Sequence, residues 1–220
     1  ITGGIGPSGS NEGFTVDYDL PNMTAYQETC ASIAMALWGH RMALLFGDAH
    51  YMDAVESALY NGMLSGVALD GKTFFYVNPL ASMGNHHRQP WFACACCPPN
   101  VLRTIASLGG YAYATSKDSL YVNLYVGGSV DATVGAQKVG MEVTTDYPWS
   151  GAMAFKMKSG GRFALRLRKP GWYHGSDSAI KVAVNGNTVN APSERGYFAL
   201  NRSWKAGDTV RLDIPMDVQQ

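Results

Sequence analysis

The chain lacks a surplus of charge of either sign. Its 220 residues carry 17 Lys and Arg against 17 Asp and Glu, and only 15% of residues are charged. A nucleic-acid partner would need a basic excess, so that class is set aside. Disorder is set aside too, because 46% of residues are hydrophobic and can build a core. No uninterrupted apolar run reaches the length of a membrane span, so no membrane partner is expected. No basic stretch followed by an apolar one opens the chain as a secretory signal would. Cysteine is scarce, and none occurs after Cys97. A secreted disulfide scaffold would spread its cysteines along the chain, which counts against that class. The chain opens at Ile1, and its first residues read like the interior of a domain, which suggests a fragment or a processed product.

What is present is concentrated. All four cysteines fall in two short stretches, Tyr26-Gln27-Glu28-Thr29-Cys30 and Cys94-Ala95-Cys96-Cys97-Pro98-Pro99-Asn100. Such clustering points to a metal, a redox centre or a nucleophile. Glu28, Cys30, Cys96 and Cys97 offer one carboxylate and three thiolates, enough to fill the tetrahedral shell of Zn2+. Adjacent Cys96 and Cys97 do not easily pair with each other, so reduced thiols held by a metal are the favoured reading. Reduced thiols favour the cytoplasm, with the periplasm as the alternative. Cys96 and Cys97 also precede a predicted helix, whose positive N-terminal end favours thiolate, so one of them is a candidate nucleophile. Cys94 reads as a small buried residue beside the site. A thiolate attacking an acetal carbon needs a proton donor for the leaving oxygen, and Glu12, in a Gly-rich loop, is the best-placed carboxylic acid.

Composition changes near residue 112, with helical patterning before it and alternation after it. Residues 2–10 are rich in Gly and look like a phosphate cradle, but no Lys follows, so the nucleotide reading is weak. A helix is predicted over 32–45, with Ile33, Leu37, Trp38 and Met42 on its apolar side. Glu28 and Cys30 can share one ion if their segment is extended or a turn, so the helix is expected to begin after them. A second helix is predicted over 49–64, with Met52, Val55, Leu59 and Met63 in one stripe. Residues 74–77 read as a short strand and 82–90 as a polar, solvent-facing loop carrying His86, His87 and Arg88. Pro98 and Pro99 suit the first turn of a third helix. Seven short strands then follow, at 120–126, 141–145, 152–157, 163–167, 180–184, 197–200 and 210–214, a pattern of β-sandwich type. Trp149, Trp172 and Trp204 are expected to pack its core or its ends. The fold class is mixed, α then β, with one region over 1–111 and a sandwich over 112–220.

Several motifs resemble glycoside hydrolase family 127, whose type activity is β-L-arabinofuranosidase and whose close relative is family 146. They are Thr2-Gly3-Gly4-Ile5-Gly6, Glu12, Leu20-Pro21-Asn22, Ala25 to Ser32, Leu59-Tyr60-Asn61-Gly62, Asp70-Gly71, Tyr76-Val77-Asn78-Pro79-Leu80 and Cys96-Cys97-Pro98-Pro99-Asn100. The Glu-Thr-Cys and Cys-Cys-Pro-Pro-Asn pair is the most specific, and the likeness runs to about residue 171. The resemblance implies the C-terminal portion of an (α/α)6 barrel followed by a β-sandwich. It implies a retaining mechanism in which Cys96 is the nucleophile and Glu12 acts first as acid and then as base. It implies that Glu28, Cys30, Cys96 and Cys97 hold zinc, and that Glu56 and Tyr76 line the sugar pocket. The implied substrate is an arabinofuranose-containing glycan or small glycoside. Three predicted helices cannot close such a barrel, so its N-terminal remainder is expected to be missing from this chain.

Without the resemblance, plainer readings hold. Glu12 is an ordinary loop carboxylate, Glu56 lies on a solvated helix face and Tyr76 belongs to a core. The alternative function is a non-catalytic carbohydrate-binding or scaffold protein with a structural zinc site, and a thiol redox protein is a third.

Overall fold

Helices give way to strands after Ala112, as the switch in periodicity predicts. A computed structural model of the chain describes residues 2–217. The helices are α1 (Thr29–Phe46), α2 (Ala49–Ser57), α3 (Cys97–Ser107) and α4 (Gly109–Ala112), with a π-helical turn at Ala58–Met63 and a 3-10 turn at Leu64–Gly66 directly after α2. By contacts the chain divides into two units. One holds the residues up to Phe46 together with Tyr51–Leu108, and the other holds Gly47–His50 and the residues from Gly109 on.

In the first unit, α1 begins at Thr29, earlier than expected, so Cys30 lies in the first helical turn and not in extended chain. Gln27 sets this start. It adopts a left-handed φ of 40°, which turns the chain sharply before the helix. The buried stripe of α1 is Thr29, Ser32, Ile33, Ala36, Gly39 and Ala43, at spacings of three and four. Small residues occupy it because the π-helical turn approaches closely. A Cβ on Gly62 of that turn would come within 2.5 Å of Ser32 Oγ. Trp38, expected on the apolar side of α1, is therefore exposed. By length and composition α1 is also apolar enough to cross a membrane. Gly39-His40-Arg41 interrupts its apolar run in the sequence.

The second predicted helix keeps its stripe while changing type. Met52, Val55, Leu59 and Met63 are all buried, although the helix widens to π geometry at Ala58. Residues 74–77 do not form a strand. Phe74 alone makes isolated bridges, to Val67 and Gln89. The Phe75 amide donates to the Gly66 carbonyl, and the Phe75 and Tyr76 carbonyls accept from Thr29 at the start of α1, as described below.

The second unit contains β1 (Tyr113–Thr115), β2 (Ser119–Val122), β3 (Gly128–Val134), β4 (Gln137–Thr145), β5 (Ala152–Met157), β6 (Gly161–Arg168), β7 (Lys181–Val184), β8 (Asn187–Thr188), β9 (Ser193–Glu194), β10 (Tyr197–Trp204) and β11 (Thr209–Asp213). One sheet has the order β1-β2-β6-β10-β9 and the other β3-β4-β5-β11-β7-β8. All pairings are antiparallel except β2 with β6, where Leu120 lies opposite Leu165. The predicted strands recur here with shifted ends, and β1, β3, β8 and β9 are additions, of which β3 is the longest. Its sequence, Gly-Ser-Val-Asp-Ala-Thr-Val, holds few strong β formers, and its pairing along β4 makes it a strand.

Alternating side chains from both sheets meet in one core. Leu120, Leu165 and Phe198 come from one sheet, and Met141, Phe155 and Leu212 from the other. This makes the unit a β-sandwich. Trp204 is buried in that core and Trp172 packs against it, but Trp149, expected at an end of the sandwich, is 91% exposed on the β4–β5 connection. Among the described residues, all exposed large apolar side chains other than Trp149 and Met216 belong to the first unit.

The sandwich core yields a direct test. Phe155→Ala, at a site only 1% exposed, is expected to cost about 3–5 kcal/mol of sandwich stability. Trp149→Ala should stay within about 0.5 kcal/mol of the parent. Urea unfolding followed by Trp204 fluorescence measures both, and equal losses would contradict the packing described.

Candidate functional site

Two segments distant in sequence are stitched together backbone to backbone. The Thr29 amide donates to the Tyr76 carbonyl at 2.9 Å, and the Asn78 amide donates to the Tyr26 carbonyl at 3.1 Å. The Thr29 hydroxyl adds a third bond, to the Phe75 carbonyl at 2.8 Å. This stitching brings the Tyr26 and Tyr76 rings together, with centroids 6.4 Å apart. Phe92 closes edge-on against Tyr76 at 5.4 Å.

Glu28 immediately precedes α1 and Cys30 sits in its first turn, while Cys96 caps α3 and Cys97 begins it. Pro98 follows in the first turn of α3, where a missing N–H costs nothing. The two helix starts converge. Cys30 and Cys97 sulfurs lie 3.4 Å apart, and Cys96 and Cys97 sulfurs 3.6 Å apart. Glu28 Oε1 lies 3.5 Å from Cys96 Sγ and 3.6 Å from Cys97 Sγ. All four donor atoms fall within 4.8 Å of one another, so they could hold a metal ion together. All four cysteines of the chain are free thiols. Cys94 and Cys97 have the spacing of a Cys-x-x-Cys redox pair, but Cys94 is not among the clustered donors. It is also exposed, where a buried position was expected.

Crowding of acidic groups shapes their protonation. Cys30 is drawn down to about 7, first by its hydrogen bond with Cys97. Asn100 adds to this by donating from Nδ2 to Cys30 Sγ at 2.9 Å. The same contact with Cys30 pushes Cys97 strongly upward, with burial adding to it. Burial lifts Cys96 to about 11, against an opposing hydrogen bond from the Tyr76 hydroxyl. Tyr76 is itself raised, chiefly by that bond to Cys96. Tyr26 is raised to about 12, first by burial and then by donating to Glu12.

The remaining predicted residues fall in distinct places. Glu12 is exposed, and its Oε1 accepts from the Tyr26 hydroxyl at 3.1 Å. Through Tyr26 and Tyr76 it belongs to the same aromatic wall that faces Cys96. Glu56 is buried in α2, not on a solvated helix face, and is not one of the four clustered donors. His86, expected in a solvent-facing loop, is partly buried, stacks on Phe75 and hydrogen-bonds the Val77 carbonyl at 2.8 Å. Tyr26 and Asn100 stand in the two sequence motifs but were given no role there. Tyr26 stands two before Glu28, and Asn100 stands four after Cys96 on one helix face, so spacing from the cysteines could have found both.

The thiol cluster has a measurable consequence. In the metal-free chain, alkylation of Cys30 by iodoacetamide should rise with a midpoint near pH 7, because its thiolate is stabilised. Cys97, fully buried, should resist at the same pH. Peptide mass mapping across a pH series reads both, and a Cys30 midpoint at the ordinary value of 9.0 would contradict the assignment.

Comparison with known proteins places this arrangement in context. A family model described as the GH127 catalytic domain of β-L-arabinofuranosidase matches residues 1–110. A second, the GH127 middle domain, matches residues 119–216. A curated non-reducing end β-L-arabinofuranosidase from Bifidobacterium longum subsp. longum is 35% identical across 99% of this chain, which covers 35% of that protein. A solved GH127 β-arabinofuranosidase superposes with a TM-score of 0.92 at 45% identity, covering 96% of this chain and 36% of its own. The GH127 β-L-arabinofuranosidase Ara127N from Geobacillus stearothermophilus T6 gives 0.91 at 46% identity, covering all of this chain and 36% of its own. The chain thus spans about a third of the length of these relatives.

Proposed function

The chain belongs to glycoside hydrolase family 127, and from that premise we propose that it is part of a zinc-dependent, retaining β-L-arabinofuranosidase with a cysteine nucleophile. Its helical unit is a portion of an (α/α)6 barrel and its second unit the β-sandwich that follows.

The donor set supports zinc. A tetrahedron with Zn–S of about 2.3 Å and Zn–O of about 2.1 Å has S···S edges of about 3.8 Å and S···O edges of about 3.6 Å. Four of the six edges here match: Cys30 to Cys97 at 3.4 Å, Cys96 to Cys97 at 3.6 Å, and Glu28 Oε1 to Cys96 and Cys97 at 3.5 and 3.6 Å, while the two from Cys30 to Cys96 and to Glu28 lie within 4.8 Å. Thiolate-rich sets of this kind favour zinc over magnesium or calcium, which take oxygen. Glu28, Cys30, Cys96 and Cys97 would hold it. When bound, zinc would keep the Cys96 sulfur as thiolate at neutral pH and ease its later departure from carbon.

The chain's own residues do the rest. Cys96 Sγ attacks the anomeric carbon of the arabinofuranoside. The S–C bond forms as the glycosidic C–O bond breaks, and Glu12 gives its proton to the leaving oxygen. Glu12, now a carboxylate, takes a proton from water as the water oxygen bonds the anomeric carbon and the S–C bond breaks. Two inversions at one carbon amount to retention. Tyr26 steadies Glu12 by donating to its carboxylate, and Tyr76 shields and bonds the Cys96 sulfur. Glu56 and Tyr76 would contact the sugar.

The observation that carries this reading is the convergence of the Glu28–Cys30 and Cys96–Cys97 pairs beside an aromatic wall that also touches Glu12. A purely structural zinc centre would use four donors too, so mutation must separate the two. Cys96→Ser, assayed in the full-length protein on an aryl β-L-arabinofuranoside, is expected to abolish turnover. Glu12→Gln should lower kcat/KM by about 10²–10⁴-fold and leave zinc content unchanged by elemental analysis. Normal hydrolysis by both variants would leave only the structural role. A chelator should lower thermal stability as well as activity, since ligand binding is linked to folding. Unchanged melting after complete zinc removal would count against the zinc assignment.

A further inference from the structure

We infer that Asn78 is a positioning residue for the Glu28 carboxylate: its side-chain amide pins the residues on both sides of Glu28 and so aims that ligand at the three thiols. The inference rests on the zinc reading above and deepens it.

Asn78 Nδ2 donates to the Gln27 carbonyl at 2.9 Å and to Thr29 Oγ1 at 3.0 Å. Glu28 lies between these two residues, so a single amide group spans its backbone. Both contacted atoms accept here, because the Thr29 hydroxyl gives its own proton to the Phe75 carbonyl. Only the NH2 end of the amide can face them, and Asn78 Oδ1 is left buried with no hydrogen-bond partner. A buried acceptor without a partner carries a cost, so the amide stays in this orientation because its donor end is fully used.

The clasp holds a strained point. Gln27 is one of the few non-glycine residues with a left-handed φ, a conformation that surrounding contacts must enforce. Its amide donates to the Gly6 carbonyl at 2.8 Å and its carbonyl is held by Asn78. Released at the carbonyl, Gln27 can relax toward ordinary φ, and the following residue swings with it. That residue is Glu28, whose Oε1 must stay close to both Cys96 and Cys97. Gly66 closes the far side. A Cβ there would come within 3.2 Å of Asn78 Oδ1 and 3.4 Å of Thr29 Oγ1, so the clasp is packed without slack. Asn78 touches none of the four donors, and its effect must pass through the backbone of Glu28. Outer-shell groups that orient metal ligands commonly change metal affinity by about 10–100-fold when removed.

The test is zinc affinity of the full-length protein, measured with zinc chloride against a chromogenic chelator. Four proteins are compared: the parent, Asn78→Ala, Glu28→Ala and the double variant. Asn78→Ala is expected to weaken zinc binding by about 10–100-fold. In the Glu28→Ala background the same change should alter affinity by less than about twofold, because residues acting through one contact are not additive. Asn78→Asp keeps the volume and removes the donor, so it should weaken binding as Asn78→Ala does and stands in for it if the smaller side chain unfolds the chain. Circular dichroism melts of the metal-free proteins report folding separately. Parent-like zinc affinity in Asn78→Ala and Asn78→Asp, or losses that add fully to that of Glu28→Ala, would overturn the inference while leaving the zinc site standing. A parent chain that binds no zinc would end the zinc reading first, and this inference with it.

Discussion

Three sulfurs and one carboxylate held within 4.8 Å of one another cannot all carry their charges at neutral pH unless a cation sits among them. Protons or a metal must neutralise the set. The chain brings these groups together by two local devices. Adjacency in sequence fixes Cys96 beside Cys97 at the start of α3, and the left-handed turn at Gln27 sends Glu28 and Cys30 toward them from the start of α1. In the metal-free state the conflict resolves unevenly. Cys30 becomes the most acidic thiol of the group, helped by Cys97 and Asn100, while burial and its neighbours hold Cys97 and Cys96 protonated. A thiophilic cation would replace that proton arrangement with four ionised ligands.

The rest of the helical unit serves that convergence. The small-residue stripe of α1 lets the π-helical turn come close, Val55 of α2 packs against Gly39, and Met52, Val55, Leu59 and Met63 are all buried. The backbone stitch between residues 26–29 and 75–78 then places Tyr26 opposite Tyr76. An ionisable chain of contacts follows, from Glu12 through Tyr26 to Tyr76 and the Cys96 thiol. Retaining glycosidases need two reacting groups on one cleft, and in the mechanism proposed above this wall would link Cys96 to Glu12.

The two units differ in how completely each buries its own apolar surface. The sandwich has one core fed by both sheets, and few of its large apolar side chains are exposed. The helical unit shows Phe14, Trp38, Leu45 and Leu69 to solvent. The chain spans about a third of the length of its GH127 relatives, and an (α/α)6 barrel has more helices than this portion holds.

Much was legible in the residues alone. The clustering of cysteines marked out Glu28, Cys30, Cys96 and Cys97 as a candidate metal cluster, and the fold brings those four together. Alternating β-branched and aromatic residues marked the sandwich because strand period and burial coincide there. Tertiary structure alone decided where α1 begins, since Gln27 is held in its left-handed turn by Gly6 and Asn78, one far before it and one far after. It also decided that Trp38 and Trp149 are exposed and that Glu56 is buried, because burial depends on which partner surface arrives and not on the residue's own polarity. The sequence by itself determined which atoms could bind a cation. Only the fold decided that they meet, because distances between segments some seventy residues apart are set by backbone hydrogen bonds and close packing that no local pattern encodes.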